Sequence, residues 1–339
     1  MPEPIRQLPG PVTLESVGRR AGVSRSTVSR VINGATDVSA ETIACVMAAV
    51  EELGYIPNYQ AKSLASRKAS TVSALIPEDV STFFNDPFIG SLVQGLESYL
   101  CQTDLVLNLI VTSQQSYSKV LASLGGGRSD GIFVFSHHGD LRLGEALSAR
   151  IPVVYGGRPP ERIVDADYVD VDNAGATHAA VELLVARGCK RIAHISGPDD
   201  MVAANHRLAA FLEVTGASGT RGPIVVGDFS FNSGAAAARE LLAAGEPFDG
   251  LFAANDLMAR AAIDVFLEAG LGVPGDVAVV GFDDSEMAVS SHPYLTTVHQ
   301  DPVEQGRQMA MLLERRLAEP TLPPQVIYLP TELIVRESA

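Results

Sequence analysis

The chain has 339 residues, of which 46% are hydrophobic and 19% charged, a balance typical of folded globular proteins and not of disordered ones. This length predicts two or three domains. No apolar run reaches the roughly 18 residues of a membrane span, and the first residues lack the apolar core of a signal peptide, so we expect a cytoplasmic protein. The three cysteines are far apart and form no CxxC pair, which argues against a disulfide framework and a thiolate zinc site.

The formal net charge of −15 argues against a nucleic-acid partner for the chain as a whole. The charge is unevenly distributed, however. Residues 1–70 carry eight basic and six acidic side chains, or +2, whereas the remainder carries 17 basic and 34 acidic ones, or −17. Because a surface charge is screened beyond about 8 Å at physiological salt, the acidic part hardly weakens the basic one. Nucleic-acid binding is therefore compatible with the first seventy residues.

The hydrophobic pattern of the first sixty residues predicts three short helices. The first begins after Thr13, Gly22 supplies a tight turn, and Ser24 caps the second helix. The third helix extends from Ser39 to Gly54. Apolar residues of the three helices are expected to share one core: Leu14, Val17, Ala21, Val28, Val31, Ile32, Ile43, Val46, Val50 and Leu53. The pattern indicates a helix-turn-helix unit.

The second predicted helix turns four polar side chains away from that core: Arg25, Ser26, Ser29 and Arg30. On a recognition helix, arginine can make paired hydrogen bonds to guanine O6 and N7 in the major groove. The short hydroxyl side chains of Thr13, Ser24 and Thr27 suit phosphate contacts, which position a DNA-binding unit without reading sequence. An ordinary solvated helix pair would show the same pattern, so the spacing alone leaves both interpretations open.

The sequence VTLESVGRRAGVSRSTVSRVING, followed by VSAETIACVMAAVEELGYIPNYQAKSLASRKASTV, resembles the N-terminal headpiece of LacI/GalR-family bacterial transcription regulators. The resemblance implies sequence-specific binding to double-stranded DNA, with Arg25, Ser26 and Arg30 at the principal base-reading positions. It also implies further DNA contacts from Asn33, Tyr55, Asn58, Ala61 and Leu64.

A short segment separates this headpiece from the rest of the chain. Pro57 ends the third helix, and Asn58 can cap a new helix through about Ser66. With only Ala61 and Leu64 on its apolar face, so short a helix is marginal alone, because helix nucleation is unfavourable. By the resemblance it is a hinge helix that pairs with its twin in a second subunit and inserts Leu64 into the minor groove. A flexible basic linker is the alternative.

From residue 71 onward, short aliphatic segments alternate with alanine- and leucine-rich ones, which is typical of parallel sheets covered by helices. Strands are predicted at 71–77, 105–111, 131–136, 151–157, 168–172, 191–197, 222–227, 250–255 and 277–284, and helices at 88–100, 176–188, 233–245 and 258–270. Polar residues follow several strands, among them Ser136, Arg158, Asn255 and Asp283, and open α/β sheets bind ligands at those strand ends. Two such lobes facing one another would enclose a cleft.

Segments of this second part, among them DYVDVDNAGATHAAVELLVARG and FAANDLMARAAIDVFLEAGLGVPGDVAVVGFDD, resemble the effector-binding core of the same family, which is similar to periplasmic sugar-binding proteins. The resemblance implies an N-terminal all-α helix-turn-helix headpiece at 1–57, a hinge helix and linker at 58–70, and a core at 71–339. That core is expected to be an α/β, two-lobed, periplasmic-binding-protein-like domain with parallel doubly wound sheets. One lobe would comprise 71–169 and 300–327, the other 170–299 and 328–339.

The resemblance further implies that the cleft binds a small effector, most of all a sugar or sugar derivative. Carboxylate and amide groups suit its hydroxyls, arginine suits its oxygens, and an aromatic face suits its C–H groups. The expected contacts are Phe88, Ser136, Arg158, Arg207, Phe229, Asn255, Asp283 and Gln300. A strand-end cap is the alternative for Asp283, and a core position is the alternative for Phe229. Residues 78–88 are longer than the usual family segment and depart from its pattern.

Motifs of enzymes are absent or misplaced. The glycine-rich stretch 125–131 precedes a strand and fits neither common phosphate-binding pattern. The clusters HHGD at 137–140 and DDSE at 283–286 lack the ligand spacing of known metal-binding loops. The G-x-S-x-G motif of α/β-hydrolases does not occur. We therefore expect no enzymatic activity, cofactor or metal. The resemblance implies a nucleoid-associated repressor. Because one headpiece contacts few base pairs, two of them related by twofold symmetry, in a homodimer, are expected to bind a palindromic operator. Alternatives are a solute-binding module with a helical prefix, or a family regulator that senses a nucleoside or a protein partner.

Residues 58–66 allow a test of the hinge helix. Because a helix this short orders only against a partner, we expect its amide hydrogens to exchange quickly in the free protein and slowly on operator DNA. Hydrogen exchange followed by mass spectrometry measures both states. Fast exchange in both would remove the hinge helix from the mechanism.

Overall fold

The computed structural model describes residues 12–32, 34–35, 37–55, 69–112, 117–138, 147, 150–160 and 162–339. Contacts divide the chain into two compact units, Met1–Ala69 and Ser70–Ala339. The predicted hinge helix lies outside the described residues, and so do four of the expected DNA contacts: Asn33, Asn58, Ala61 and Leu64. None of the helices in the described ranges combines the length and the apolarity that a bilayer crossing requires.

The first unit contains the three helices that the sequence predicts. They are α1 (Leu14–Ala21), α2 (Arg25–Ile32) and α3 (Ala40–Leu53). The predicted caps are confirmed: the Thr13 side chain accepts from the Ser16 amide, the Ser24 hydroxyl from the Thr27 amide at 3.1 Å, and Ser39 caps α3. These side chains satisfy amide groups that the first turn of a helix leaves without a partner.

One apolar core holds the three helices together. Val17, Val28 and Val46 are fully buried, with Val31, Ala49 and Tyr55 nearly so. Ile43 was expected to face inward but is 36% exposed, so that prediction is wrong; the buried stripe of α3 begins one turn later, at Val46. The core of the headpiece is therefore a small cluster of aliphatic side chains with one aromatic side chain, Tyr55.

The second unit consists of two lobes, each built on a six-stranded sheet. The first sheet has the order β11-β5-β4-β3-β1-β2 and is parallel throughout. The second has the order β12-β10-β9-β8-β6-β7, with only β12 antiparallel to its neighbour. The first sheet contains β1 (Thr71–Ile76), β2 (Val106–Val111), β3 (Gly131–Phe135), β4 (Val153–Gly156), β5 (Asp167–Val171) and β11 (Val326–Leu329); the second contains β6 (Ile192–Ser196), β7 (Arg221–Val226), β8 (Gly250–Ala253), β9 (Ala278–Asp283), β10 (Thr296–His299) and β12 (Glu332–Ile334).

Helices cover these sheets and connect their strands. The first lobe has α4 (Val80–Asn85), α5 (Pro87–Leu100), α6 (Tyr117–Ser123) and α11 (Pro302–Ala318); the second has α7 (Asn173–Ala186), α8 (Val202–Ser218), α9 (Phe231–Ala244) and α10 (Asp256–Glu268). The predicted strands are all present, whereas β10, β11 and β12 were not predicted. The chain crosses between the lobes three times. In the first lobe β5 ends at Val171 and β11 at Leu329, each two residues beyond the expected boundaries at 169 and 327.

Two helices of the first lobe pack backbone against backbone. A Cβ atom on Gly95 of α5 would lie 2.0 Å from the carbonyl oxygen of Val303, and one on Gly306 of α11 would lie 2.1 Å from that of Leu92. Only glycine permits so close an approach. The contact places the N-termini of both helices beside the cleft between the lobes, where α5 contributes Phe88 and α11 contributes Gln305.

Replacing Gly306 by alanine tests this packing. Because the added methyl group meets backbone and not a movable side chain, we expect the variant to lose about 1–3 kcal/mol of unfolding free energy. Gly90→Ala is the matched control, since a Cβ atom at this position of α5 meets nothing within 4 Å. Urea unfolding measures both variants. A Gly306→Ala midpoint equal to that of the control would contradict the proposed contact.

Candidate functional site

The helix α2 has one buried face and one exposed face. Val28 is fully buried, whereas the side chains of Arg25 and Arg30 are 68% and 49% exposed on the other side. The predicted outward orientation of the two arginines is thus confirmed. Their contacts with DNA stay a prediction, because the structure contains no nucleic acid.

Both arginines are paired with carboxylates of the headpiece. Nε of Arg25 lies 3.1 Å from Oε1 of Glu15, and Arg30 forms an ion pair with Asp37. The hydrogen bond to Asp37 raises the pKa of Arg30 above its ordinary value and lowers that of Asp37. Since these pairs lie in water, salt and competing anions weaken them readily. Acceptors on DNA can therefore replace the carboxylates.

Hydroxyl groups gather at the start of α2. The Ser24 hydroxyl lies 2.7 Å from that of Ser26 and 2.9 Å from that of Thr27. Ser29 is half-buried on the next turn, and Thr13 occupies the equivalent position before α1. Helix N-termini attract phosphate, because their amide groups and dipole favour negative charge. The arrangement suits phosphate contacts at both helix starts.

Tyr55 is placed differently from the other expected DNA contacts. Its side chain is only 9% exposed and packs in the core of the headpiece with Val17 and Val46. The aromatic ring is thus part of the headpiece core. A contact of its hydroxyl group with DNA stays a prediction.

The cleft between the lobes contains a cavity of about 740 Å³, its open mouth included. All of the expected effector contacts line it: Phe88, Ser136, Arg158, Arg207, Phe229, Asn255, Asp283 and Gln300. The structure thus brings together residues that are up to 212 positions apart in the chain, as the interval from Phe88 to Gln300 shows.

Arg207 of α8 is the most firmly held side chain of this cavity. Its Nε donates to Oδ1 of Asn173 at 2.9 Å, and its Nη1 donates to the carbonyl oxygen of Ala254 at 2.5 Å. The guanidinium carbon lies 3.5 Å from the ring centroid of Phe282, a cation–π contact. Burial lowers the pKa of Arg207, and nearby carboxylates, Asp283 first, oppose that effect. The guanidinium is therefore fixed before any ligand arrives.

Asp283 is the last residue of β9, and its Oδ1 lies 3.8 Å from Nη1 of Arg207. Burial raises the pKa of its carboxyl group to about 7, while Arg207 opposes this shift and Asp86 adds to it. Its Oδ1 accepts a hydrogen bond of 2.6 Å from Nε2 of Gln300. Both partners are side chains of the cavity wall, and a contact of Asp283 with an effector stays a prediction.

Asn255 and Phe229 form one unit. The Asn255 side chain caps α10 by accepting from the Met258 amide at 3.0 Å, and its Nδ2 donates to the carbonyl oxygen of Phe229 at 2.8 Å. The ring of Phe229 packs against the core of the second lobe and also lines the cavity. Phe229 therefore contacts the core and also lies on the cavity wall, and its contact with an effector stays a prediction. The hydrogen bonds of Asn255 position the start of α10 and the backbone of Phe229.

Three of the expected contacts have a strained backbone. Ser136, Phe229 and Asp283 have φ angles of +51°, +67° and +112°. Non-glycine residues rarely occupy this region, and such strain is concentrated at binding and active sites. Ser136 directly follows β3, and Asp283 is the last residue of β9. The strained residues therefore lie at the carboxyl edges of both sheets.

Several cavity residues were not predicted from the sequence. They are Asp86, His137, Asp170, Asn173 and Gln305. Asp170 and Asn173 lie at the carboxyl end of β5, so the strand-end argument that singled out Ser136 would have found them. Among the described residues, no group of three or more His, Cys, Asp or Glu side chains could hold a metal ion.

A helix-turn-helix unit with outward arginines, joined to a two-lobed core with a polar and aromatic cavity between the lobes, defines a DNA-binding regulator controlled by a small molecule. The lacI-family model of bacterial regulatory proteins matches residues 13–58, and the periplasmic binding protein-like domain matches residues 181–339. The transcriptional regulator CelR of Thermobifida fusca is 42% identical over 96% of this chain and 98% of its own length. The chain belongs to the LacI family of bacterial transcription regulators.

Other relatives agree with this assignment. The ribose operon repressor of Escherichia coli K12 is 34% identical over 96% of this chain and 99% of its own. A lac repressor dimer bound to operator and the anti-inducer ONPF matches with a TM-score of 0.86 at 28% identity, covering 97% of this chain and 99% of that one. A CelR–cellobiose complex matches with a TM-score of 0.76 at 40% identity, covering 97% and 100%. The expected family and fold class are confirmed.

The titration of Asp283 tests the electrostatics of the cavity. We expect a carboxyl group in the ligand-free protein with a pKa near 7, because burial disfavours its charged form. Carbon-13 NMR of labelled aspartate follows this titration, and the signal should disappear in Asp283→Asn. In Arg207→Met the midpoint should rise, since Arg207 stabilises the anion. A midpoint near 4 in the wild type would contradict the described environment.

Proposed function

We propose that this protein represses transcription by binding a palindromic operator as a homodimer, and that a small carbohydrate in the interlobe cavity controls its affinity for DNA. The observation that carries the proposal is the pre-positioned Arg207, with a carboxylate and an aromatic ring beside it, in a cavity between two lobes. Such a set matches the hydroxyls, ring oxygen and C–H faces of a sugar. The proposed function requires no catalysis.

The relatives support a carbohydrate effector. CelR, at 42% identity, has a structure in complex with cellobiose, and the ribose operon repressor is 34% identical. Cellobiose is therefore the first candidate for this cavity. A nucleoside or a protein partner is the alternative effector within the family. Measuring operator binding in the presence of sugars and of adenosine distinguishes a sugar effector from a nucleoside.

The DNA-binding half of the proposal rests on α2. A single helix-turn-helix unit contacts few base pairs, and two units related by twofold symmetry bind a palindrome. The lac repressor structure with operator is a dimer, which supports the same assembly here. Because the operator lies on the chromosome, we infer that the protein acts in the cytoplasm, at the nucleoid.

Two substitutions separate the two activities. Arg30→Ala should weaken operator binding about 5- to 150-fold and change base preference, because arginine on this face contacts base edges. Arg207→Met should abolish the response to cellobiose while leaving operator affinity nearly unchanged. Fluorescence anisotropy with an operator selected from random duplex DNA measures both effects.

Arg239→Ala is the matched control for both variants, because Arg239 is exposed on α9 of the second lobe. It should behave like the wild type. Operator binding unaffected by Arg30→Ala would contradict the DNA interface. The carbohydrate effector would be contradicted if operator binding responded to adenosine, or if it responded to none of a panel of mono- and disaccharides. Neither result would contradict the DNA interface.

A further inference from the structure

Three charged side chains connect the two lobes at the edge of the cavity. His138 follows β3 in the first lobe, and Asp200 precedes α8 in the second. Nδ1 of His138 lies 2.8 Å from Oδ1 of Asp200, and its Nε2 lies 3.2 Å from Oε1 of Glu78, which follows β1. One imidazole ring thus spans the gap between the lobes.

The geometry fixes the protonation state of this ring. Both of its nitrogens face carboxylate oxygens, and carboxylates only accept hydrogen bonds, so both nitrogens must carry a hydrogen. The two carboxylates, Glu78 first, raise the pKa of His138 to about 9 against the opposing effect of burial. The neighbouring His137 is buried, which lowers its pKa to about 4, so it stays neutral beside the charged ring.

The same cluster reaches the ligand cavity from both sides. The Ser136 hydroxyl donates to Oε1 of Glu78 at 2.6 Å, the oxygen that also faces His138. Ser136 lines the cavity in the first lobe, and Met201, the residue after Asp200, lines it in the second. Glu78 also raises the pKa of the buried Asp86, another lining residue, to about 6 after the larger effect of burial. A change in the contacts among Glu78, His138 and Asp200 therefore affects residues that line the cavity.

We propose that Glu78, His138 and Asp200 form an ionic latch that holds the lobes together and positions Ser136 for the effector. This inference rests on the proposed function, since it takes the interlobe cavity as the effector site. The latch favours the closed arrangement before ligand binds. A protein whose binding-competent state is already populated binds its ligand more tightly, because less of the binding energy is spent on closure.

The latch works only while His138 is charged. The folded-state pKa of His138 lies above that of a free imidazole, about 6.5, so its contribution is fully present below that pH and is lost as pH rises through about 9. Glu78 and Asp200 are the carboxylates that hold the ring, with His137 and Asp86 the further titratable groups beside them. Alkaline pH should open the latch.

Asp200→Asn breaks the charge pair with little change of shape. We expect it to weaken cellobiose binding about tenfold at pH 7, as the loss of one hydrogen bond between charged groups predicts. Asp199→Asn, in the same exposed loop, is the matched control and should bind like the wild type. Calorimetry from pH 8 to 10, above the pKa of about 7 of Asp283, should show a loss of affinity through pH 9 in the wild type that is absent in Asp200→Asn.

A second measurement needs no ligand, so it tests the latch independently of the proposal that the effector is a carbohydrate. Nitroxide labels at Arg128→Cys and Arg239→Cys, exposed positions on opposite lobes, report the interlobe distance in a background with Cys45 and Cys101 replaced by serine. Dilution with unlabelled protein removes distances between subunits.

In the empty protein at pH 7, Asp200→Asn should give a longer and broader distance distribution than the wild type or Asp199→Asn. The wild type should shift in the same direction at pH 10. Identical distributions in Asp200→Asn and the wild type at pH 7 would overturn the latch, whether or not cellobiose binds.

Discussion

The effector cleft is organised around a buried cation. Taking a guanidinium out of water costs several kcal/mol unless its charge and its N–H groups find partners. Arg207 finds them in Asn173, the carbonyl oxygen of Ala254, the ring of Phe282 and the carboxylate of Asp283. These partners come from the starts of helices and the ends of strands in the second lobe. Because all of them contact one guanidinium group, Arg207 holds the carboxyl ends of these strands and the starts of these helices in place.

Arginine serves opposite purposes in the two units of the chain. In the headpiece, Arg25 and Arg30 are exposed and held only by screened carboxylates that a DNA acceptor can displace. In the core, Arg207 is 5% exposed and cannot leave its partners without stranding a buried charge. The first environment suits reversible contacts with DNA, and the second suits a rigid ligand site. The division follows from burial alone.

The sequence predicts the local elements well and their long-range partners poorly. Apolar periodicity and capping residues define α1, α2, α3 and the inner strands, because these signals lie within a few neighbouring residues. Strands β10, β11 and β12 escape this reasoning, since they are short and pair with strands distant in sequence. For the cavity, the strand-end argument indicated Ser136, Arg158, Asn255 and Asp283, whereas only the family resemblance indicated Arg207. Asp200 and His138 are 62 positions apart, and only the folded chain shows that they meet.

The three crossings between lobes have a consequence for biosynthesis. The first sheet is complete only when β11 adds to the free edge of β5, and its helical layer only when α11 packs against α5. Both segments belong to the last forty residues of the chain. During translation the nascent first lobe therefore waits with an unpaired strand and an uncovered apolar face while the second lobe emerges. Until the last forty residues leave the ribosome, that strand edge and that apolar face are open to contacts with other chains.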